Sequence, residues 1–335
     1  MLRSALPLPI DLIDRPLAIT SYEDFNAFAL ELFHLHAAKN PVYRGFLQAL
    51  RIAPTGITSV ERIPFLPIGF FRDRPVLLDD LEPGVIFTSS GTTGAITSSH
   101  HVPWPTLYER SFITSFTSAY GDPSKWRILA LLPAYLERGG SSLVYMAEKL
   151  IALSGDPLSG TYLYQYDRLA ELLRESENGA KPALLLGVTF ALLDLAEKHP
   201  MPLKNTIVME TGGMKGRRPE IVREELHRIL KSAFSLDAVH SEYGMTELLS
   251  QAWSKGDGFY RCPPWMRLLV REVNDPFTRM GHGRTGGIDV IDLCNIASCP
   301  FISTQDLGRT HADGSFEVLG RFDNSDVRGC NLLVV

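Results

Sequence analysis

The sequence predicts an α/β protein: a mixed sheet covered by helices, followed by a smaller antiparallel β sheet or distorted barrel. Two observations lead to this prediction. Between residue 87 and about residue 244, strand-like and helix-like segments alternate, which is typical of a sheet with helices packed on its faces. After Pro263 and Pro264, strand-like segments are separated by Gly and Asp-Gly turns, which is typical of antiparallel strands. The predicted units are residues 1–264, 265–320 and 321–335.

The first predicted element is a helix that Ser21 can cap, with Glu23 and Asp24 in its first turn. Its apolar positions recur at helical spacing: Phe25, Phe28, Leu32 and Phe33. A second short helix is expected over residues 42–51. Residues 64–71 contain too much proline for a helix, and we expect them to line a core or cleft.

The alternating region supplies the remaining elements. Strands are expected at residues 128–132, 183–186 and 206–209, and helices at residues 141–153, 166–174, 189–198 and 219–231. Pro219 would occupy the first position of the last helix, where a missing N–H costs nothing. The later strand-like segments are residues 266–273, 286–293 and 315–319.

Composition narrows the function classes. The chain has 335 residues, 45% of them hydrophobic, and a formal net charge of −5, so neither nucleic acid nor an anionic membrane surface is an expected partner. The four cysteines are few for this length and include no CxxC pair, so neither a disulfide framework nor a zinc site is predicted. The start of the chain makes a poor signal peptide, and no apolar run nears the ~20 residues of a spanning helix. These features predict a cytoplasmic protein without a membrane span.

The most informative segment follows the apolar residues 85–87. It consists of Thr88, Ser89, Ser90, Gly91, Thr92, Thr93 and Gly94. Such a segment offers unobstructed backbone N–H groups and hydroxyls, which suits a polyanion such as a nucleotide triphosphate. It matches neither the P-loop, which needs a lysine beside the last Ser or Thr, nor the dinucleotide fingerprint. Both of those motifs run straight into a helix, whereas residues 95–105 have no helical periodicity and contain two prolines. A strand, a loop and a second extended segment are expected here.

Three further segments carry candidate site residues. The first is Glu242-Tyr243-Gly244-Met245-Thr246-Glu247, after an expected strand end. The second runs from Asp306 to Arg309 and is followed, after an Asp313-Gly314 turn, by residues 316–323, which include Arg321 and Asp323. The third contains Gly212 and Gly213 after the strand at residues 206–209; glycines there let a planar base approach the backbone closely.

Taken in this order, these motifs resemble the adenylate-forming enzymes, a superfamily that includes acyl-CoA synthetases, firefly luciferase and peptide-synthetase adenylation domains. The resemblance implies ATP and Mg²⁺ as cofactors. It implies that residues 88–94 hold phosphates, that Gly212 and Gly213 form the adenine-side wall, and that Tyr243, with Gly244 beside it, stacks on adenine. It further implies that Thr246 contacts the α-phosphate or acyl phosphate and that Glu247 binds Mg²⁺. Asp306 would accept hydrogen bonds from ribose hydroxyls, and Arg321 would donate to the ribose or a phosphate.

The sequence departs from that family in two ways. A lysine usually follows the second glycine, whereas Ala95, Ile96 and Thr97 stand here, so phosphate charge would be met elsewhere, for example by His100, His101 or Arg110. For each of these three residues, a plain core or surface position is the favoured interpretation. The family also continues past the hinge, expected here at Asp323, into a C-terminal domain with a catalytic lysine. This sequence ends at Val335, so residues 321–335 would be a hinge-like segment without a C-terminal lid domain.

The closer resemblance is to bacterial acyl-protein synthetases, and it covers most of the chain from about residue 20. It rests on residues 88–94, on residues 132–146 and on the final Arg328-Gly329-Cys330-Asn331-Leu332. In that family a fatty acid is adenylated and a cysteine near the C-terminus takes the acyl group. The resemblance makes Cys330 the candidate acceptor, although a small buried residue of a last strand is the alternative. Tyr135 and Leu136 are candidates for the acyl pocket, together with residues 65–71.

The sequence thus predicts an AMP-forming acid-thiol ligase of the acyl-protein synthetase type. The expected partners are a carboxylic acid, most simply a fatty acid, and an acyl-accepting thiol, either Cys330 or that of a partner reductase or carrier protein. Two alternatives stay open at this point. One is an acyl-CoA ligase related to phenylacetate-CoA ligases; the other is a protein that binds nucleotide or acyl-adenylate with little turnover.

Overall fold

The structure is a computed structural model that describes residues 10–89, 97–133, 139–212, 218 and 221–322. The helices are α1 Ile10–Asp14, α2 Tyr22–Lys39, α3 Pro41–Ala49, α4 Phe70–Asp73, α5 Pro105–Tyr120, α6 Ser142–Ser154, α7 Tyr166–Asn178, α8 Thr189–Lys198 and α9 Arg223–Phe234. The strands are β1 Leu66–Pro67, β2 Val85–Thr88, β3 Ser99–Val102, β4 Arg127–Leu131, β5 Gly160–Tyr162, β6 Ala183–Val188, β7 Thr206–Thr211, β8 His240–Tyr243, β9 Ala252–Ser254, β10 Tyr260–Arg261, β11 Met266–Arg271, β12 Gly286–Asp292, β13 Phe301–Thr310 and β14 Phe316–Arg321.

Capping side chains set the start of the first long helices. Ser21 Oγ accepts a hydrogen bond from the Asp24 amide at the start of α2, as predicted. The predicted apolar positions of this helix are buried. The next helix, α3, begins at Pro41 because the Asn40 side chain accepts from two amides of its first turn. It ends at Ala49, two residues before the predicted end.

The strands β4, β5, β6, β7 and β8 form the parallel part of the sheet. The strand β6 is buried along its whole length, because helices cover both faces of a parallel sheet. The alternation predicted between residues 87 and 244 is confirmed, including a helix over residues 189–198 with the predicted bounds.

In the described residues, twelve strands join in one sheet. Eleven of them follow the order β11-β12-β13-β14-β10-β9-β8-β7-β6-β4-β5, and β1 pairs with β13. The antiparallel strands predicted after Pro264 are present, and hydrogen bonds through β14, β10 and β9 connect them to the parallel strands. A separate small antiparallel sheet consists of β2 and β3. The predicted α/β class is confirmed, whereas the unit boundary after residue 264 stays a prediction.

Two local predictions were wrong. The helix predicted from Pro219 begins at Arg223, because Val222 has an extended backbone (ψ 152°) and serves as N-cap. Pro219 itself lies outside the described residues. Within residues 64–71, predicted to contain no helix, Phe70 and Phe71 begin the one-turn helix α4. The prolines at 64 and 67 lie upstream of this turn and do not interrupt it, and Phe65 and Phe71 belong to the core, as expected.

No helix in these ranges combines the length and the apolar character needed to cross a bilayer.

Candidate functional site

The site begins at the hairpin formed by β2 and β3, which brackets the hydroxyl-rich segment. Two hydrogen bonds join the two sides of this hairpin at Ser89 and Ser98. The Ser89 amide donates to the Ser98 carbonyl (3.0 Å), and the Ser98 amide donates to Ser89 Oγ (2.9 Å). The Thr88 amide donates to the Gly140 carbonyl (2.8 Å). A Cβ on Gly140 would come within 2.8 Å of Thr88 Oγ1, so this close approach requires glycine. The expected strand and second extended segment are therefore observed, at residues 85–88 and 99–102, whereas residues 90–96 between them lie outside the described residues.

Glu247 lies against the base of this hairpin. Its side chain is 4% exposed and hydrogen-bonds to Ser98. Burial raises the pKa of Glu247, while the hydrogen bond with Ser98 and the positive charges of Arg321 and Arg72 oppose this effect. The structure thus brings the predicted Mg²⁺ ligand next to the predicted phosphate-binding segment. The neighbouring Thr246 is half-buried.

Tyr243 and Asp306 are joined directly. The Tyr243 hydroxyl donates to Asp306 Oδ2 (2.9 Å), and Arg321 Nε lies 3.4 Å from Asp306 Oδ1. Burial raises the pKa of Asp306, and the charge of Arg321 and the hydrogen bond from Tyr243 oppose it. The Tyr243 ring is also packed edge-on against Tyr260 and Phe316. The residues predicted on the adenine and ribose sides of a nucleotide therefore lie together.

This contact reveals a strong curvature of the sheet. Tyr243 is on β8 and Asp306 is on β13, and β9, β10 and β14 lie between them in the strand order. Four strand spacings of about 4.8 Å would separate β8 from β13 by about 19 Å in a flat sheet, too far for the two side chains to meet. The antiparallel part must therefore curl back on itself, which fits the distorted barrel considered from the sequence.

Glu242 lies one residue before Tyr243 and has no cationic partner in the described residues. Its Oε2 accepts a hydrogen bond from Thr211 Oγ1 (2.5 Å) at the end of the neighbouring strand β7. Burial raises the pKa of Glu242 to about 7; the hydrogen bond with Thr211 opposes this effect, and the negative charge of Glu210 adds to it. A Cβ on Gly244 would lie 2.4 Å from Glu242 Oε1, so a larger residue at this position would force the Glu242 side chain to move.

Two further predicted positions can be placed. Gly212 has a positive φ of 68°, and its carbonyl accepts a hydrogen bond from Thr189 Oγ1 (2.9 Å). It follows β7 directly and is exposed, so its backbone is open to a ligand. Of the residues considered as substitutes for the family's lysine, His100 is fully buried, and Arg110 pairs with Asp14 at the surface. The His100 ring is therefore closed to a ligand, whereas the structure does not test a phosphate role for the half-exposed Arg110.

Several predicted site residues lie outside the described residues. They are Ser90, Gly91, Thr92, Thr93, Gly94, Tyr135, Leu136, Gly213, Asp323 and Cys330. The other three cysteines are free thiols: Cys262, Cys294 and Cys299. Burial raises the pKa of each of them, to about 12 for Cys299, so all three are poor nucleophiles at neutral pH.

Sequence reasoning assigned no role to four residues that support this site: Ser98, Thr211, Glu242 and Asn295. One signal was available, because Glu242 is a charged residue in an otherwise buried strand end. Asn295 lies in a continuously buried stretch, residues 286–304, where a polar side chain requires hydrogen-bond partners. Its amide group donates to the Glu247 carbonyl (2.7 Å).

The fold is similar to that of solved acyl-CoA ligases. A structure of 2-hydroxyisobutyryl-CoA ligase with 2-HIB-AMP and CoA, in the thioesterification state, matches with a TM-score of 0.68 and 16% identity, over 95% of this chain and 72% of that chain. An open conformation of the same ligase matches with a TM-score of 0.65 and 15% identity, over 90% and 70% of the two chains. ATP-bound MatB from Rhodopseudomonas palustris matches with a TM-score of 0.55 and 18% identity, over 74% of this chain and 49% of that chain.

The present chain thus spans about half the length of MatB. A scan against protein-family models gave no match, and a search of curated proteins gave none. The predicted fold of the adenylate-forming enzymes is confirmed by these structures.

Proposed function

We propose that the chain is an AMP-forming acyl-activating enzyme. A carboxylic acid would attack the α-phosphorus of ATP, giving acyl-AMP and pyrophosphate, and the acyl group would then pass to a thiol. The main support is the direct hydrogen bond between Tyr243 and Asp306 (2.9 Å), because it joins two motifs that are 63 residues apart in the sequence. The fold neighbours include structures solved with ATP and with 2-HIB-AMP and CoA.

In this proposal each motif contacts one part of the nucleotide. The Tyr243 ring stacks on adenine, and the exposed backbone at Gly212 lies on the same side. The Asp306 carboxylate accepts hydrogen bonds from ribose hydroxyls, and Arg321, which is largely exposed, supplies donors to the ribose or a phosphate. The hydroxyls and amides of residues 88–94 hold the phosphates.

Glu247 suits a Mg²⁺ ion that is shared with the phosphates. In the described residues, no cluster of three or more His, Cys, Asp or Glu side chains could hold a metal ion by itself. Mg²⁺ is commonly bound by one or two carboxylates together with phosphate oxygens, so a single buried carboxylate beside the phosphate segment is sufficient. When bound, the ion would neutralise charge on the leaving pyrophosphate.

Catalysis would then rest on positioning and on charge neutralisation. Thr246 orients the α-phosphate through its half-buried hydroxyl, and Glu247 keeps its carboxylate beside the hairpin. Because the three described cysteines are half-buried or buried thiols with raised pKa values, we assign the acceptor role to Cys330 or to an external thiol. A fatty acid is the proposed substrate, with Tyr135 and Leu136 at its apolar pocket.

The experiment is carboxylate-dependent ATP–pyrophosphate exchange across fatty, aryl and short-chain acids. We expect exchange in the native protein, its loss in Glu247→Ala, and its retention in Glu225→Ala, which removes a carboxylate that pairs with Arg228 on the surface of α9. Unchanged exchange in Glu247→Ala would remove the role of Glu247. No exchange with any acid would favour the binding protein, which the missing lysine after Gly94 also favours.

The acceptor is tested separately by intact-mass analysis after incubation with ATP and the acid. An acyl adduct that disappears in Cys330→Ser assigns this residue. A thioester formed on added CoA, with Cys330 unmodified, assigns an acyl-CoA ligase instead.

A further inference from the structure

The segment that links β8 to β9, residues 244–251, contains neither helix nor strand. From Glu247 to Gln251 it is nevertheless buried without interruption. Buried backbone N–H and C=O groups need hydrogen-bond partners, and this segment has no helix or strand of its own to supply them. Its conformation must therefore be set by partners elsewhere in the fold.

Asp292, the last residue of β12, supplies such partners. Its side chain is fully buried; Oδ2 accepts from the Leu249 amide (2.7 Å), and Oδ1 accepts from Ser250 Oγ (2.6 Å) and from the Cys294 amide (3.1 Å). An ionised carboxylate offers two acceptor oxygens and no donor, so it can satisfy all three groups at once. Two hydrogen bonds thus join the end of β12 to the chain that follows Glu247.

The surroundings of this carboxylate supply hydrogen bonds rather than a counter-ion. Ser250 Oγ, which donates to Asp292, accepts from Trp265 Nε1 (3.0 Å) and lies 3.2 Å from Ser111 Oγ on α5. Within the described residues, Asp292 forms no ion pair. A buried charge without a counter-ion costs free energy, so an apolar side chain would serve packing alone better. What the carboxylate adds is a fixed geometry for Leu249 and Ser250.

The residues held in this way directly follow the turn that carries two candidate catalytic side chains. The Leu248 amide donates to the Met245 carbonyl (3.1 Å), which closes a turn with Thr246 and Glu247 at its inner positions. The strand β8 fixes the chain before this turn, and the hydrogen bonds to Asp292 fix it after the turn. The direction of the Glu247 side chain therefore depends on both attachments.

From this geometry we propose that Asp292 is a positioning residue: by accepting hydrogen bonds from Leu249 and Ser250, it fixes the end of the turn and thereby holds the Glu247 carboxylate beside the β2–β3 hairpin. The inference rests on the proposed function only in the role given to Glu247. Burial raises the pKa of Asp292 to about 6, and the hydrogen bonds from Ser250, Leu249 and Cys294 oppose this rise. The carboxyl is therefore ionised at pH 8, the pH of the tests.

The first test is hydrogen exchange of the native, ligand-free, full-length protein at pH 8, which needs no variant. We expect the Leu248 and Leu249 amides to exchange within about tenfold of the amides of the buried strand β6, although they lie outside any helix or strand. Exchange as fast as that of exposed loop amides would mean that the carboxylate does not hold this segment, and would overturn the inference.

The second test is Asp292→Ala, with Asp156→Ala as the matched control. The Asp156 side chain is only 8% exposed and also accepts from a backbone amide, that of Leu158 (2.9 Å), but it lies beside Arg127 at the opposite end of the parallel strands. In Asp292→Ala, exchange at Leu248 should accelerate about tenfold more than exchange in β6, whereas in Asp156→Ala both should change by the same factor. Equal factors in Asp292→Ala would mean that Asp292 only stabilises the fold.

A milder variant decides the question where Asp292→Ala does not fold. Ser250→Ala removes one of the two hydrogen bonds between Asp292 and the segment and leaves the carboxylate in place. Exchange at Leu248 should again accelerate more than exchange in β6, by a few-fold. No difference between the two in this variant would count against the positioning role.

ATP–pyrophosphate exchange measures the consequence for the reaction. We expect kcat to fall about tenfold or more in Asp292→Ala and by less than about twofold in Asp156→Ala. A native kcat in Asp292→Ala, together with faster exchange at Leu248, would show that the turn is held but that Glu247 does not depend on it, and would overturn the inference. No activity of the native protein with any acid would refute the proposed function, whereas the hydrogen-exchange comparison would still decide whether Asp292 holds the turn.

Discussion

Replacing Glu242 by glutamine should stabilise the protein at neutral and alkaline pH. The carboxyl is buried, accepts one hydrogen bond from Thr211 and has no cation beside it in the described part of the chain. An amide of the same shape keeps an oxygen for the Thr211 hydroxyl and removes the charge. The substitution therefore removes an ionised carboxylate that is unfavourable in a buried position.

The size of the effect follows from the pKa. Burial raises the pKa of Glu242 from its ordinary value of 4.5 to about 7. The folded state therefore binds the proton more tightly, and the stability that this supplies is fully present below pH 4.5 and is lost as the pH rises through about 7. This increase of about 2.5 in the pKa corresponds to about 3 kcal/mol of unfolding free energy, since a pKa change of one is worth about 1.4 kcal/mol. We expect Glu242→Gln to gain about this amount at pH 8 and almost nothing at pH 4.

The assay is urea denaturation at several pH values between 4 and 8, with Glu210→Gln as the control. Glu210 is equally buried on β7, and burial favours its neutral form, but the hydrogen bond from His227 and the charge of Arg223 outweigh this and lower its pKa. Glu210→Gln should therefore lose stability at pH 8, and the loss should shrink as the pH falls. A Glu242→Gln variant that is no more stable than the native protein at pH 8, or whose gain does not depend on pH, would refute the reasoning.

Two other substitutions test contacts of the fold and of the site. Tyr243→Phe removes the donor to Asp306 but keeps the ring contacts, so the free energy of unfolding in urea at pH 8 should fall by about 1.5–3 kcal/mol; a change below about 0.5 kcal/mol would contradict the hydrogen bond. Asp289→Asn removes a fully buried carboxylate that pairs with both Arg271 and Arg279, so unfolding at pH 7 should require about 3–5 kcal/mol less; a loss below about 1 kcal/mol would mean that water or another acceptor reaches the two guanidinium groups.

Local chemistry made much of the fold predictable. The Ser21 cap and the spacing of the phenylalanines after it located α2, because both act within a few residues. The alternation of apolar strands with helices located the parallel part of the sheet for the same reason. The predicted start of α9 was wrong. The preference of proline for the first helical position shows only that Pro219 is permitted there, whereas the extended conformation of Val222 decides that the helix begins at Arg223.

The site was predictable only as a set of separate motifs. Sequence order predicted that residues near 88, 243 and 306 serve one ligand. Their contacts, however, depend on strand pairing between distant segments, such as Tyr260 with Phe316. The contacts of His100 with Thr246 and Asn295 join residues 146 and 195 positions apart, and no local pattern indicates them. His100 was considered as a phosphate contact, whereas the structure places it in the core.

Because the sheet curls between β8 and β13, Tyr243 and Asp306 meet although three strands lie between theirs. A ligand that contacts both Tyr243 and Asp306 fixes the distance between them, and with it the curvature of the three strands that lie between. Its influence on backbone fluctuations would therefore spread over β9, β10 and β14, including amides that never contact it. Nucleotide binding would in this way stiffen a span of five strands through contacts at only two of them.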